Sequence, residues 1–373
     1  MTRLGDVCAI RYGKDHKKLS DGSIPVYGSG GIMRYVDTAI CEKPSVLIPR
    51  KGTLGNLFYT DEPFWTVDTL FWTDIDQTKI VPKYLYYQLK QKDLASYNVG
   101  TAVPSLTVEV LNEIDLDVPS IDKQKRIVEV LNSFDSKIAL NNQLNDYLAN
   151  LLDAAFANSA KSGSKEFGLP EVVDILSGGT PKTKNAEYWE DGRIPFFTPG
   201  DVTNSVYTLT TEKHITDVGL DNCNSELYPV DTVFLTARGT VGKVAIAGRP
   251  MAMNQSCFAF RGKSIPQSVV FQIIKNAVKT LRAKANGATF AAINTRDLKI
   301  ETVAVPCNKE IAHYDESASK WLDLIRTNEE ENLQLSALRD ILLPKLMSGE
   351  IDVSKVDLTQ LTNNHLAGYS DEF

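Results

Sequence analysis

One phrase occurs twice in this chain, and it constrains the fold more than any compositional figure. PRKGTLG at 49–55 and ARGTVGK at 237–243 share Gly-Thr-aliphatic-Gly, with Gly55 and Gly242 separated by 187. The same offset aligns GTAVPSLT (100–107) with 287–294, and LNEIDLDVP (111–119) with LKIETVAVP (298–306). Upstream, SIPVYG (23–28) answers RIPFFT (193–198) at offset 170, so the second half carries 17 extra residues between Phe197 and Arg238. Order that repeats while side chains differ indicates one domain duplicated and diverged. A length of 373 residues fits two domains better than one core.

The repeated phrase is not a P-loop. That motif needs four residues between its glycines and a hydroxyl residue after the lysine. Here two residues separate Gly239 from Gly242, and Val244 follows Lys243. Nor does the chain contain an amino-methylation motif (N-P-P-Y or D-P-P-Y), a G-x-S-x-G elbow or an H-E-x-x-H helix. Cys8, Cys41, Cys223, Cys257 and Cys307 are scattered, with no C-x-x-C pair. His16, His214, His313 and His365 lie far apart and read as structural or solvated side chains. No catalytic residue, metal site or cofactor is therefore expected. No apolar run is long enough to span a bilayer, and MTRLGDVCAIRYG lacks a signal-peptide core, so the expected location is cytoplasmic.

After each Val-Pro comes a long helical stretch, about 122–156 and about 309–347. On the first, Ile127, Leu131, Phe134, Ile138, Asn141, Asn145, Leu148, Leu152 and Ala155 alternate spacings of four and three. That spacing makes a coiled-coil seam. Adding 187 gives Tyr314, Ala318, Trp321, Ile325, Asn328, Asn332, Leu335, Arg339 and Leu342, with the paired asparagines repeated. Asparagine in a seam costs stability but fixes register. Antiparallel packing about a pseudo-twofold axis would bring Asn141 and Asn145 near Asn332 and Asn328. Pro344 and Gly349 read as the helix stop.

Each large segment reads as mixed α/β, with strand-like runs SVLIP (45–49), LFWTDI (70–75), TVFLTA (232–237) and CFAFRG (257–262), and helical runs at 82–91 and 267–284. The expected organisation is a first domain at 1–120, a spacer helix at 121–157 and a polar linker at 158–168. A second domain at 169–306, a second spacer helix at 307–347 and a loosely held tail at 348–373 follow.

What remains is binding hardware. The candidates in the first segment are Lys14, Lys17, Lys18, Tyr27, Arg34, Arg50, Lys51 and Thr53. Those in the second are Lys182, Lys184, Trp189, Arg238, Thr240 and Lys243. Cations interleaved with aromatics and Gly/Ser/Thr-rich loops suit phosphate contacts and base-edge readout. Arg50 and Arg238 read as equivalent residues beside the repeated turn. Net charge is −7, but residues 307–373 alone carry −7 and residues 161–306 carry +3, so a basic face on each large segment is compatible with the total.

These residues resemble the specificity (S) subunit of Type I restriction–modification systems. The carrying stretches are QKRIVEVLNSFDSKIALNNQLNDYLANLL (124–152), LSALRDILLPKLMSGEI (335–351), SGGTPKTKNAEYWEDGRIPFFTPGDV (177–202) and ARGTVGK. The first domain departs from the pattern at 11–31, which lacks the Gly-Thr-Pro and Tyr-Trp words. The resemblance implies two target-recognition domains separated by two long antiparallel helices, pseudo-twofold symmetric. It implies a non-catalytic reader of a bipartite, asymmetric site on double-stranded DNA, docking two methyltransferase subunits and restriction/translocase subunits. S-adenosylmethionine and ATP with Mg would then bind those partners. Two other readings stay open at this point: an adaptor for a stand-alone or phase-variable methyltransferase, and a phosphate- or nucleotide-binding enzyme.

Overall fold

In the computed structural model, residues 2–100, 103–284 and 292–356 are described. Parts of the 100–107 and 287–294 repeats, and the tail beyond 356, fall outside them. The chain divides into two compact units, Met1–Ser136 with Leu335–Phe373, and Lys137–Gln334, so the division falls inside both long helices.

In the first unit a four-stranded sheet runs in the order Cys8–Tyr12, Leu70–Ile75, Ser45–Pro49, Phe58–Thr60. All five residues of Ser45–Pro49 are buried, as are all four of Val233–Thr236 in the second unit. A strand covered on both faces loses polar alternation and reads as an unbroken apolar run, which is why SVLIP and VFLT are visible in sequence. The second unit has a five-stranded sheet, Val173–Ser177, Cys257–Gly262, Val233–Thr236, Val244–Ala247, Tyr207–Thr208.

The registers of the two sheets coincide. Tyr12 faces Phe71 as Ser177 faces Phe258, and Ile48 faces Phe71 as Leu235 faces Phe258. The first strand thus corresponds at offset 165 and the others at 187. Each unit also has a three-stranded sheet in which Val26 runs parallel beside Trp65, and Phe196 beside Ala252. The offset steps from 170 at Ile24/Ile194 to 179 at Val36/Ile215 and 187 at Cys41/Tyr228. The 17 extra residues are therefore two insertions. One holds the short strand Tyr207–Thr208, the other the helix Asp217–Asp221.

The long helices are Ile121–Lys161 and Asn308–Ser348. Their seam residues Ile127, Leu131, Phe134, Leu148, Tyr314, Ile325 and Leu335 are buried. Ile138, Trp321, Asn332 and Leu342 are half-buried. At the end of the second helix Leu343 and Leu346 are the buried residues, not Leu342. A straight helix drifts by ~20° per heptad against strict seven-residue spacing, enough to move the buried position by one residue.

Two further expectations need correction. Residues 158–168 are not a linker. The helix continues to Lys161, and Ser164–Gly168 pairs antiparallel with Thr302–Pro306. The serines that suggest a linker return their hydroxyls to the preceding turn, Ser159 to the Ala155 carbonyl at 3.2 Å and Ser162 to that of Asn158 at 3.4 Å. Nor does Pro344 stop the second helix. The chain turns only at Gly349, whose φ of +78° suits a residue without Cβ.

Candidate nucleic-acid interface

The repeated turn is built from the same backbone bonds in each unit. Arg50 N donates to the Thr69 carbonyl at 2.8 Å, and Ala237 N to the Ser256 carbonyl at 2.8 Å. Leu106 N donates to the Arg50 carbonyl, and Ile293 N to the Ala237 carbonyl, both at 2.9 Å. Ala237 is therefore the counterpart of Arg50, and Arg238 is the counterpart of Lys51. This corrects the equivalence of Arg50 with Arg238 by one residue. Gly52 and Gly239 share the left-handed conformation, with φ of +91° and +79°, and they let both turns bend alike.

The candidate side chains fall into two groups. Lys14, Lys17, Lys18, Lys51, Lys182, Lys184, Arg238 and Lys243 are exposed, and their charged ends form no ion pair or hydrogen bond with a described residue. Thr53 is exposed as well. The others are engaged within their own unit. Tyr27 packs its ring against Phe58 at 5.8 Å. Arg34 binds Asp21 at 2.7 Å and the Leu19 carbonyl at 3.2 Å. The Arg50 guanidinium donates to the Asp68 carbonyl at 3.2 Å and lies 5.3 Å from the Tyr12 ring centre. Trp189 packs edge-on against Phe196 at 5.2 Å, and Thr240 donates to the Pro199 carbonyl at 3.0 Å.

Beside the first turn lies a cleft of about 750 Å³, walled by Asp15, His16, Lys17, Ser29, Met33 and Asp68 among others. Its frame is repeated in the second unit. Lys14 N donates to the Thr66 carbonyl at 2.8 Å, and Gly179 N to the Met253 carbonyl at 3.1 Å. Val67 N donates to the Tyr27 carbonyl at 3.1 Å, and Asn254 N to the Phe197 carbonyl at 2.9 Å. A Cβ on Gly13 would sit 2.1 Å from the Val67 carbonyl oxygen, and one on Gly178 2.3 Å from that of Asn254. Both halves therefore require glycine at the same crossing.

The side chains on this frame differ. Asp15, His16 and Asp68 in the first unit correspond to Thr180, Pro181 and Gln255 in the second, whereas Lys17 corresponds to Lys182. Sequence reasoning set His16 aside and did not single out Asp15, Asp68, Thr180 or Gln255. Carrying the 187 offset through Thr69 and Ser256 would have paired Asp68 with Gln255.

The backbone N–H of Lys17 holds the Asp15 carboxyl below the usual carboxylate range. Burial pushes the thiols of Cys8 and Cys257 up to about 12, with Asp74 and Asp201 adding to the effect, so neither is a ready thiolate. Among the described residues no three His, Cys, Asp or Glu side chains cluster as a metal site, and no helix is long and apolar enough to cross a membrane.

Residues 1–150 and 161–334 each match the Type I restriction modification DNA specificity domain. The chain is 30% identical over 172 residues to the Type I restriction enzyme MjaIX specificity subunit of Methanocaldococcus jannaschii, across 44% of this chain and 39% of that protein. It is 21% identical over 363 residues to the HindI specificity subunit of Haemophilus influenzae, across 73% of this chain and 78% of that one. The fold is similar to the crystal structure of an S subunit from M. genitalium, with a TM-score of 0.56 at 18% identity, covering 92% of this chain and 95% of that one. Matched in both halves, the chain belongs to the Type I restriction modification DNA specificity family, as a specificity subunit and not an enzyme.

Proposed function

We propose that each half of the chain reads one half of a bipartite, asymmetric site on double-stranded DNA. The long helices running through both units set the half-site spacing. Two methyltransferase subunits dock on the chain, and restriction/translocase subunits join them. The observation that carries this reading is the repeated frame with divergent side chains. Arg50/Ala237, Asp15/Thr180 and Asp68/Gln255 sit on matching backbone bonds yet differ in chemistry. A single protein that reads two unlike half-sites needs that combination, whereas a symmetric dimer reads two like ones. The exposed lysines and Arg238 supply phosphate contacts, which position the protein without reading sequence. S-adenosylmethionine and ATP with Mg belong to the partner subunits, and the chain works in the cytoplasm, where its DNA is.

The test is a domain exchange. Residues 1–120 are replaced by the equivalent domain of a relative, the chain is assembled with its methyltransferase, and methylated bases are mapped. One half-site should change and the other persist. A change in both would overturn the modular reading.

A further inference from the structure

We propose that Asp68 and Gln255, at one equivalent position of the two halves, each read a base in their own half-site. Asp68 accepts from the exocyclic amino group of cytosine, and Gln255 pairs bidentately with adenine. This rests on the DNA-reading function above and names the side chains that carry it.

The equivalence is bracketed on both sides. Val67 and Asn254 make matching bonds to Tyr27 and Phe197, and Thr69 and Ser256 accept matching bonds from Arg50 and Ala237. The residue between each pair is therefore presented by the same backbone. The crossing at Gly13 and Gly178 leaves no room for a Cβ, which makes that backbone rigid. Its floor is buried, with Thr66 and Met253 both fully covered.

The two side chains do little for the fold. Both are exposed. The Asp68 carboxylate makes no ion pair or hydrogen bond with a described residue, because Arg50 donates to its backbone carbonyl instead. The Gln255 amide oxygen accepts from the Thr180 hydroxyl, and its NH₂ makes no hydrogen bond with a described residue. The hydroxyl thus pins one end of the amide and leaves two donors and a lone pair facing out. An amide held this way matches adenine N6 and N7, and a free carboxylate matches the amino group of cytosine.

Charge supports the same assignment. A lone carboxylate on a DNA-facing surface is repelled by phosphates and gains only where a base donor meets it. Lys14, Lys17 and Lys18 lie in the adjoining turn, exposed and free to offset that repulsion. Lys182 and Lys184 occupy the corresponding turn of the second unit.

The experiment uses the full chain assembled with its methyltransferase, selected on a randomised duplex pool and sequenced. Wild type should enrich a bipartite motif. Asp68→Asn should move preference from cytosine to adenine at one position of one half-site. Gln255→Glu should move it from adenine to cytosine at one position of the other. Each shift should be roughly ten-fold or more, the usual size for a bidentate base contact. Both replacements are isosteric and exposed, so thermal unfolding should match wild type.

The assignment is overturned if both variants enrich the wild-type motif unchanged, or if they lose binding evenly over all sequences. Either result leaves the bipartite motif of wild type standing. Failure of wild type itself to enrich a bipartite motif would instead remove the functional reading, and this assignment with it.

Discussion

Asn328 donates its side-chain amide to Asn145 at 2.8 Å, and both residues are buried. Four residues earlier on the first long helix, Asn141 donates to Asn332 at 2.9 Å and to Glu331 at 2.7 Å. Within the second unit, rising numbers on one helix meet falling numbers on the other, so the two run antiparallel. A slipped register would bury these amides without partners, which is how a polar pair in a seam selects one alignment.

Replacing one partner should expose that penalty. Asn328→Ala should cost on the order of 1–3 kcal/mol, because the Asn145 amide is left buried with a lost donor. Asn145→Leu combined with Asn328→Leu should recover much of the loss while loosening the register. A double-mutant cycle by equilibrium denaturation checks this, and additive single effects would contradict it.

Glu329 gives the second unit a pH dependence. It accepts the N–H groups of Val206 and Tyr207 at 3.0 and 3.2 Å and tethers the inserted strand to the second long helix. Burial raises its carboxyl to about 7, against the lowering effect of those two N–H groups. The folded state therefore holds a proton that the unfolded chain has released above pH ~4.5. This group's stabilisation is full below that pH and is lost as pH rises through about 7, by at most roughly 3 kcal/mol. Unfolding midpoints measured from pH 5 to 8 should fall in wild type, and Glu329→Gln should remove this part of the slope.

The paired glycines predict matched sensitivity. Gly13→Ala and Gly178→Ala each place a methyl group against a carbonyl oxygen and should destabilise by roughly 1–3 kcal/mol or more. Gly30→Ala is the control, since its Cβ would meet nothing within 4 Å. Thermal unfolding of the three variants decides. An unchanged Gly178→Ala protein would refute the tight crossing.

Arg238 and Lys51 hold equivalent positions on the repeated turn, so their removal should act alike. Arg238→Ala and Lys51→Ala should each weaken DNA binding to a similar degree for all sequences and reduce the salt slope by about 1. Binding isotherms at several salt concentrations test this. An altered base preference in Arg238→Ala would show that it reads a base edge instead.

The periodic and repeated features were legible in the sequence by itself. The two halves, the buried strands SVLIP and VFLT, the long helices and the facing asparagines all appear as order or spacing along one chain. Such patterns survive divergence because a core strand or a seam needs only the right kind of side chain at the right interval. The tertiary structure decided the rest. It put Ala237, not Arg238, opposite Arg50, because that equivalence is written in backbone bonds to Thr69 and Ser256. It turned a serine-rich stretch into the end of a helix and a paired strand. It committed Tyr27, Arg34 and Trp189 to partners within the fold while leaving Asp68 exposed and Gln255 tethered only to Thr180. Spacing is recorded locally, but whether a side chain is free to meet a ligand depends on partners brought from far along the chain, and only folding brings them together.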